Sequence, residues 1–409
     1  MPLTLKPLLR LIFPLLILAL SFYALGKATL LNNHYLLLLS LLPYAVFALV
    51  LGLAHYFNRS RFFSAALLLS GAYWLIQAHL QTSLVELHPF YFYTALSLLL
   101  PLGLLFLTVL PERGLWNVYG LLPLSITPLF VIATYTVSQQ YSEEQLAALT
   151  NLFAIRPFGH YVLSIYASFG FLLSLLLGLM ILLFRNSEAE AAFCACIIFV
   201  FATFVGFDQP LISSILFSGC GLILMISLLR SSFEMAYRDD LTGLLGRRAF
   251  NEKLRGLGRQ YCIAMVDVDH FKQFNDSHGH DVGDDVLKIV ANHLAQVSGG
   301  GVPYRYGGEE FCVIFAGKKL KSCLPYLETI RTAIADYNIT LRDKNTRPKN
   351  RKKGASQRGR KRNQNSVSVT VSIGIAEKTE KLANAKQVLQ AADKALYKAK
   401  QNGRNCLAR

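Results

Sequence analysis

The stretch SGGGVPYRYGGEEF, residues 298–311, carries the pattern on which the fold of the second half of the chain depends. Its tyrosines and the following run 311–315 (FCVIF) favour strands, because aromatic and β-branched residues suit a pleated, partly buried surface. The paired glycines between them favour a tight turn. We therefore predict a hairpin with Glu309 and Glu310 at its tip. Adjacent glutamates repel each other unless a cation lies between them, so the tip is either a metal or phosphate site or a solvated turn.

The composition indicates a membrane region. The chain has 409 residues, of which 53% are hydrophobic and 16% charged, and a mean hydropathy of +0.38. This is too apolar for a single soluble globule, and the length allows two or more domains. Much of the net charge of +16 comes from one segment, Arg342 to Arg362, with eleven Lys or Arg and one acid. The seven cysteines have no metal-binding spacing, so neither zinc nor a disulfide framework is predicted.

Eight apolar runs in the first 229 residues are each close to the length that crosses a bilayer as a helix. They are Leu8–Leu25, Leu36–Phe57, Phe62–Leu80, Phe90–Leu110, Leu115–Val137, Tyr161–Phe184, Ala189–Phe207 and Leu211–Leu229. The seventh is the weakest, because it is short and begins beside Glu188 and Glu190. Lys and Arg concentrate in alternate loops, which predicts that both termini are cytoplasmic.

Two features of this region have open interpretations. The longest outer loop, Ser138–His160, is either a site that receives a signal or only a connector. Gln77 and His79 either line a ligand cavity or lie at the membrane interface, since both are near the end of a span.

From Ser231 onward the composition is that of a soluble α/β or α+β domain, with strands alternating with helices that we expect on one face of a sheet. Arg230–Arg238 continues the last span as a short helix. The predicted strands, besides the hairpin, are Tyr261–Val268 and Val367–Ile375; the predicted helices are Gly283–Val297, Leu324–Tyr337 and Ala385–Gln401, the last ended by Gly403.

Carboxylates could converge beside the hairpin. Asp267 and Asp269 flank Val268 at the end of a strand and share one face. If that strand neighbours the hairpin, Asp267 and Glu309 meet at a sheet edge and could bind Mg²⁺ for phosphoryl or nucleotidyl transfer. Alternatively, the two aspartates merely end a strand.

Basic and polar residues could complete a nucleotide site. Lys272 follows the strand, and Lys400 and Arg404, one helical turn apart, could face one phosphate chain or simply stabilise a helix C-terminus. Asn275 and Asp284 offer the donor and acceptor pattern of a purine edge, although Asp284 could equally be a helix-start residue.

Five stretches in order, RDDLTGLLGRRAF (238–250), DVDHFKQFNDSHGHDVGDDVL (267–287), RYGGEEF (305–311), VSIGIA (371–376) and ADKALYKAKQNGRN (392–405), resemble the motif set of GGDEF-domain diguanylate cyclases. The resemblance covers about residues 239–409. It implies a palm-like nucleotidyl cyclase domain with a central antiparallel sheet. The apolar runs before it predict a membrane sensor or anchor domain (1–230) and a linker helix (231–238), and this first domain resembles no sensor family. With the loop charges, we expect a bacterial inner-membrane location with the catalytic domain in the cytoplasm.

The resemblance further implies that two GTP-loaded domains form a homodimer and condense two GTP into cyclic di-GMP and two pyrophosphates, for downstream cyclic di-GMP receptors. The catalytic residues would be Glu309, as acceptor of the 3′-hydroxyl proton, Glu310 and Lys272. The ligands of Mg²⁺ or Mn²⁺ would be Asp267, the Val268 carbonyl and Glu309. The nucleotide-binding residues would be Asn275 and Asp284 for guanine, and Lys400 and Arg404 for the β- and γ-phosphates.

This chain departs from the family in three places. Many members carry a product-binding R-x-x-D motif where this chain has Ser298–Gly301, so we expect no product inhibition through that site. Gly246 replaces the usual Asn before Arg247-Arg248. The basic insertion Arg342–Asn365 is expected to be a disordered loop that is merely solvated, or contacts anionic lipid, or, less favoured, binds RNA; no specific nucleic acid is expected.

Two other function classes compete with the cyclase. One is a catalytically silent GTP-binding receptor, which the presence of Asp267, Lys272, Glu309 and Glu310 disfavours. The other is a transporter with an appended regulatory domain, which the scarcity of charge within the spans disfavours.

Overall fold

The computed structural model describes residues 6–28, 33–153, 155, 162–340 and 366–409. The basic segment Arg342–Asn365 and Arg156 of the outer loop lie outside the described residues. The chain forms two compact units, Met1–Phe233 and Glu234–Arg409.

The described residues of the first unit form helices joined by loops. A 3-10 helix, Lys6–Leu11, precedes α1 (Ile12–Ala28), α2 (Asn33–Tyr56), α3 (Ser60–His79), α4 (Leu87–Val109), α5 (Val118–Gln140), α6 (Glu143–Leu152), α7 (Ile165–Arg185), α8 (Glu188–Val205) and α9 (Ile212–Tyr237). In the part of the chain that the structure describes, eight helices are long and apolar enough to cross a membrane, and they correspond to the eight predicted spans. The helices α3, α4, α8 and α9 are central, because more than half of each apolar window is buried.

The two acids at the start of α8, which weakened the seventh predicted span, are both paired with arginines. Glu188 contacts Arg10, and Glu190 lies 2.9 Å from the guanidinium of Arg61. The side chains of Arg61 and Glu190 are only 5% and 1% exposed. Arg185 reaches the same Glu190 oxygen at 3.4 Å. These charges are tolerated in an apolar helix because each one has an opposite partner.

The two arginines around Glu190 also satisfy the end of α4. Arg61 donates to the carbonyls of Leu107 and Thr108 at 2.8 and 3.2 Å, and Arg185 donates to the carbonyl of Val109 at 2.7 Å. The last carbonyls of a helix have no intrahelical partner and carry the negative end of its dipole. The cluster of Arg61, Arg185 and Glu190, here called the α4 cap, therefore joins α3, α4, α7 and α8.

The predicted outer loop is partly helical. The helix α6 begins with a reciprocal cap in which Ser142 and Gln145 bond each other's backbone N–H groups. His79, at the end of α3, stacks on Phe92 with ring centroids 4.1 Å apart and forms an edge contact with Trp74.

The second unit contains a five-stranded sheet in the order β2-β3-β1-β6-β7. The strands are β1 (Tyr261–Val268), β2 (Gly301–Arg305), β3 (Glu310–Ala316), β4 (Ile339–Thr340), β5 (Ser366–Val367), β6 (Val371–Glu377) and β7 (Leu407–Ala408). The pairs β2–β3, β3–β1 and β1–β6 are antiparallel, as predicted, whereas β7 pairs with β6 in parallel, so the sheet is mixed.

The prediction that the helices cover one face of the sheet is wrong. All eight residues of β1 are buried, and they alternate between two cores. Val266 packs with Val286 and Leu327 on one side, and Met265 packs with Leu396 on the other. The second-unit helices are α10 (Arg247–Arg255), α11 (Phe271–His278), α12 (His280–Leu294), α13 (Leu320–Ala335) and α14 (Ala385–Gln401). The helices α12 and α13 thus lie on one face, and α10 and α14 on the other.

Gly374 allows α14 to approach the sheet closely. A Cβ at this position of β6 would lie 2.0 Å from the backbone nitrogen of Leu396 and 2.3 Å from the carbonyl oxygen of Ala392. Any side chain would therefore push α14 away from β6. This close approach fixes the position of the end of α14 relative to the end of β1.

Two further predictions need correction. The predicted strand Val367–Ile375 is divided, because Val367 pairs with Ile339 in a separate two-stranded sheet while β6 begins only at Val371. The helix predicted from Gly283 begins earlier, at His280, so Asp284 lies beyond its first turn and is not a helix-start residue.

Candidate active site

The predicted hairpin lies directly beside β1. Asp267 is the register partner of Glu310, and the N–H of Val268 donates to the carbonyl of Glu309 at 3.4 Å. The strand end that carries Asp267 and the hairpin tip that carries both glutamates therefore meet at one edge of the sheet. This is the arrangement that the sequence predicted on the condition that the two strands are neighbours.

Arg305 closes the glycine turn. Its guanidinium donates to the carbonyl of Gly308 at 2.9 Å and to the carboxylate of Asp239 at 2.8 Å. Burial opposes ionisation of Asp239, but hydrogen bonds from Thr242 and Arg305 outweigh it and hold the pKa of this carboxyl below its ordinary value. The turn is thereby held to the segment that precedes α10, and the backbone N–H groups of Tyr306 and Gly307 both donate to the carbonyl of Glu310.

Asp267 is the most buried acid of the cluster, with 5% exposure. Its carboxylate lies 2.9 Å from the ammonium of Lys400, which α14 brings to this edge. Burial raises the pKa of Asp267, and the charges of Glu309 and Glu310 raise it further, while Lys400 opposes them. Three acids in this small region require a cation, and in this structure Lys400 supplies one.

The donor set at this edge suits Mg²⁺. Carboxylate and carbonyl oxygens, which Asp267, Val268 and Glu309 offer, are its preferred ligands, and nucleotide sites often use one or two protein carboxylates with substrate phosphates and water. Within the described residues, no group of three or more His, Cys, Asp or Glu side chains is arranged to hold a metal ion.

Asn275 has an unsatisfied polar atom. Its side-chain oxygen is buried and accepts no hydrogen bond. A buried acceptor without a partner is costly, which makes this atom a candidate for contact with a ligand donor. Asn275 lies on α11 against Gly283 of α12, where a Cβ would lie 1.8 Å from that oxygen. The exposed Asp284 follows Gly283 immediately, so the two predicted purine-contacting residues lie on adjoining helices.

The three predicted phosphate-binding residues lie on different segments of the chain. Lys272 is exposed in the first turn of α11. Lys400 lies near the end of α14, but Arg404 is beyond it, because the helix ends at Gln401 and Gly403 turns the chain with φ +100°. The predicted helical spacing of Lys400 and Arg404 is therefore wrong, although Gly403 occupies the predicted position after the cap.

A basic cleft that was not predicted from the sequence lies beside the glycine turn. It encloses about 370 Å³ and is lined by the backbone of Gly307 and Gly308 and by four arginines: Arg238, Arg247, Arg248 and Arg305. The guanidinium of Arg247 lies over the Tyr306 ring and that of Arg248 over the Tyr237 ring. Three of these arginines belong to the stretch 238–250 of the sequence, but only the fold brings them next to the hairpin.

Residues 236–406 match the family model described as "Diguanylate cyclase, GGDEF domain". This part of the chain is a GGDEF domain. Among curated relatives, the chain is 36% identical over 171 residues to diguanylate cyclase VdcA of Vibrio cholerae, covering 41% of this chain and 45% of the relative. It is 33% identical over 184 residues to response regulator PleD of Caulobacter vibrioides, covering 43% and 36%. The chain thus spans less than half the length of these two relatives.

The solved structures similar to this chain include one of a GGDEF domain and one of a diguanylate cyclase. The coiled coil and GGDEF domain of DgcB from Caulobacter crescentus, in complex with c-di-GMP, is 29% identical and covers 45% of this chain and 91% of that one, with a TM-score of 0.37. Diguanylate cyclase SiaD of Pseudomonas aeruginosa, in complex with its activator SiaC, is 32% identical and covers 45% and 65%, with a TM-score of 0.37.

Proposed function

We propose that the protein is a membrane-embedded diguanylate cyclase that condenses two GTP into cyclic di-GMP and two pyrophosphates. The observation that carries the proposal is the convergence of Asp267 with the hairpin tip of Glu309 and Glu310, beside a cation and inside a GGDEF domain. Acidic side chains at a sheet edge next to phosphate-binding cations are suited to nucleotidyl transfer.

Asp267, the Val268 carbonyl and Glu309 would hold Mg²⁺ or Mn²⁺. When bound, the ion would neutralise the triphosphate and polarise the α-phosphate. Glu309 would accept the proton of the attacking 3′-hydroxyl, with Glu310 beside it. Because Asp267 is buried and surrounded by like charge, its affinity for a cation should be high.

The remaining residues would bind and orient GTP. The buried oxygen of Asn275 would accept a hydrogen bond from guanine, and Asp284 would accept a second from the same edge. Lys400 and Arg404 would contact the β- and γ-phosphates, and Lys272 would stabilise charge that develops in the transition state. On GTP binding, Lys400 would exchange its contact with Asp267 for one with a phosphate.

Each domain would bind one GTP, so cyclic di-GMP requires two copies of the chain. In a face-to-face homodimer, each 3′-hydroxyl attacks the α-phosphorus of the other nucleotide, two phosphodiester bonds form and two pyrophosphates leave. The helical first unit would anchor or regulate the pair in a bacterial inner membrane, with the GGDEF domain on the cytoplasmic side. The product would act through separate cyclic di-GMP receptors.

The role of the basic segment Arg342–Asn365 stays a prediction. We expect it to contact anionic lipid, because each basic residue near such a surface contributes about 1 kcal/mol. Deleting it and measuring vesicle binding at low and high salt tests this, and unchanged binding would exclude a lipid role.

The decisive experiment measures cyclic di-GMP formed from GTP and Mg²⁺ by the purified full-length chain. We expect product from the wild type and a loss of at least about a hundredfold for Glu309→Ala, which removes the proposed base and a metal ligand. Glu380→Ala, at an exposed position, is the matched control and should retain activity. If the wild type binds GTP but forms no product, the silent receptor is favoured. If it neither binds GTP nor forms product, the transporter with a regulatory domain is the remaining hypothesis.

A further inference from the structure

Asp269, to which the proposed function assigns no role, is buried at the end of β1 and accepts three hydrogen bonds. It is 6% exposed. One carboxylate oxygen accepts from the hydroxyl of Ser372 at 2.6 Å. The other accepts from the hydroxyl of Thr370 at 2.7 Å and from the backbone N–H of Asn405 at 3.0 Å. Asp269 therefore links β1 and the start of β6 to the chain that follows α14.

The chain that follows α14 makes an unusual turn. Gly403, Arg404 and Asn405 have φ angles of +100°, +64° and +44°. Residues other than glycine adopt this left-handed region at a cost, so two of them in succession persist only when the surroundings hold them. We call Gly403–Asn405 the left-handed turn. Arg404 lies in this turn with an exposed side chain, and its backbone N–H donates to the carbonyl of Ala399, the residue before Lys400, at 3.1 Å.

The left-handed turn is held from two sides. On the sheet side, the N–H of Asn405 donates to Asp269. On the helix side, the guanidinium of Arg331, on α13, donates to the carbonyl of Asn405 at 2.9 Å and is itself paired with Glu328 at 2.6 Å. Of these two anchors, Asp269 is the buried one, so we expect it to restrain the backbone of Arg404 more strongly than Arg331 does.

We propose that Asp269 is a positioning residue that fixes the left-handed turn, so that Arg404 is already placed for the terminal phosphates of GTP before the nucleotide arrives. The inference rests on the proposed function, because it assigns Arg404 to the β- and γ-phosphates. Asp269 acts through the backbone of Asn405 and does not touch the nucleotide. Without Asp269, the turn loses its sheet-side anchor and Arg404 samples other positions. Nucleotide binding must then order Arg404, and the entropy that this costs weakens the affinity.

The test compares two ligands of the full-length protein in detergent with Mg²⁺. The first is a GTP analogue with a methylene bridge between the α- and β-phosphates, which cannot release pyrophosphate. The second is GMP, which lacks the phosphates that Arg404 would contact. Asp269→Ala should weaken binding of the analogue roughly tenfold, as expected for a misplaced charge-assisted contact, and should leave GMP binding unchanged. A role in general folding would weaken both ligands, whereas a role in the metal site would make the difference between the wild type and Asp269→Ala disappear when Mg²⁺ is removed.

Three variants test the route through Asn405. Asp269→Asn should largely rescue analogue binding, because the amide oxygen can accept from Thr370 and Asn405 while the amide nitrogen donates to the Ser372 hydroxyl. Ser372→Ala removes a donor to the other carboxylate oxygen and should leave the ratio of analogue to GMP affinity unchanged. Arg404→Ala combined with Asp269→Ala should bind no more weakly than Arg404→Ala alone. Additive losses would overturn the proposal.

Should Asp269→Ala fail to fold, Arg331→Met removes the other anchor from the surface of α13, and it should produce the same selective loss of analogue binding. Equal losses for analogue and GMP, or no loss, would contradict the inference. Failure of the wild type to form cyclic di-GMP would instead count against the proposed function, whereas a productive wild type with an unaffected Asp269→Ala variant would reject only the role of Asp269.

Discussion

The ammonium of Lys400 lies 2.9 Å from the carboxylate of Asp267, so a residue expected to bind phosphate is instead paired with an expected metal ligand. Opposite charges at this distance compensate each other, and Asp267 is too buried to lose its partner without cost. The chain therefore supplies its own cation to Asp267. A nucleotide and its metal would replace an existing pair and would not enter an empty cluster of acids.

Replacing Lys400 should change metal and nucleotide binding in opposite directions. In Lys400→Met, Mg²⁺ binding without nucleotide should tighten, because no ammonium competes for Asp267. The KM for GTP should rise roughly tenfold or more, because one charge-assisted phosphate contact is lost. The dependence of the cyclization rate on Mg²⁺ and GTP measures both. Lys398→Met, at an exposed position of the same helix, is the control, and an unchanged KM in Lys400→Met would contradict the assignment.

A methyl group at Gly283 should impair recognition of guanine. In Gly283→Ala the new Cβ would lie 1.8 Å from the side-chain oxygen of Asn275, so that side chain must move. We expect a higher KM for GTP and weaker discrimination against ITP, which lacks the exocyclic amino group. Gly258→Ala, where a Cβ meets nothing within 4 Å, should behave as the wild type. Preserved discrimination in Gly283→Ala would argue against guanine recognition by Asn275.

The Asp239–Arg305 pair should give a defined pH dependence of stability. Because the pKa of Asp239 is below its ordinary value in the folded protein, the charged carboxylate stabilises the fold above the ordinary Asp pKa of about 3.9. This contribution is lost as the pH falls through the lowered folded-state value. Hydrogen exchange of peptides from 238–250 and 305–311 should therefore show Asp239→Asn as less protected than the wild type near neutral pH. The difference should shrink in acid; Asp240→Asn, also near the turn but exposed, should show no such trend.

Product inhibition should be competitive only. Gly301 opens β2 with its backbone against the buried ring of Phe315, where a Cβ would lie 2.7 Å from a ring atom. The acid of the family's product-binding motif would occupy this position, so the local packing is incompatible with it. Initial rates at several GTP concentrations with added cyclic di-GMP test this. Inhibition that saturating GTP does not overcome would reveal another product site.

In the first unit, Glu190→Gln should destabilise the α4 cap strongly. The change removes the acid that pairs directly with the nearly buried Arg61, and breaking a buried pair by removing one partner costs about 3–5 kcal/mol. The thermal midpoint at which the detergent-solubilised protein loses monodispersity should fall by several degrees. Glu144→Gln, at an exposed position of α6, should leave it unchanged. An unaltered midpoint in Glu190→Gln would mean that the α4 cap contributes little to stability.

The sequence predicts well where local pattern determines structure. Eight apolar runs, the strand Tyr261–Val268 and the helix Ala385–Gln401 follow from length, periodicity and end signals, and the structure contains all of them. The hairpin follows from its paired glycines between two strand-forming runs. Asp267 is near the end of its strand in the sequence, so it lies next to the hairpin once the strand order is known.

The remainder depends on contacts between distant residues. Whether β6 begins at Val367 or Val371 depends on Asp269, whose backbone N–H and carboxylate both engage Thr370. The Lys400–Asp267 pair depends on α14 approaching Gly374, and the helices on both faces depend on burial of both sides of β1. Strand-forming or helix-forming tendencies contain none of this information, because each contact joins residues of different segments, such as Asp267 and Lys400.

The contact of Trp74 with His79 has a practical consequence for spectroscopy. Trp74 and Trp116 are the two tryptophans of the chain, and both belong to the first unit, while the GGDEF domain has tyrosine and phenylalanine alone as aromatic fluorophores. Selective excitation of indole therefore reports on the helical unit without contribution from the GGDEF domain. Trp74 contacts His79 and Trp116 contacts His55, so replacing Trp116 would leave an emission that reports on the end of α3 alone, with no label attached.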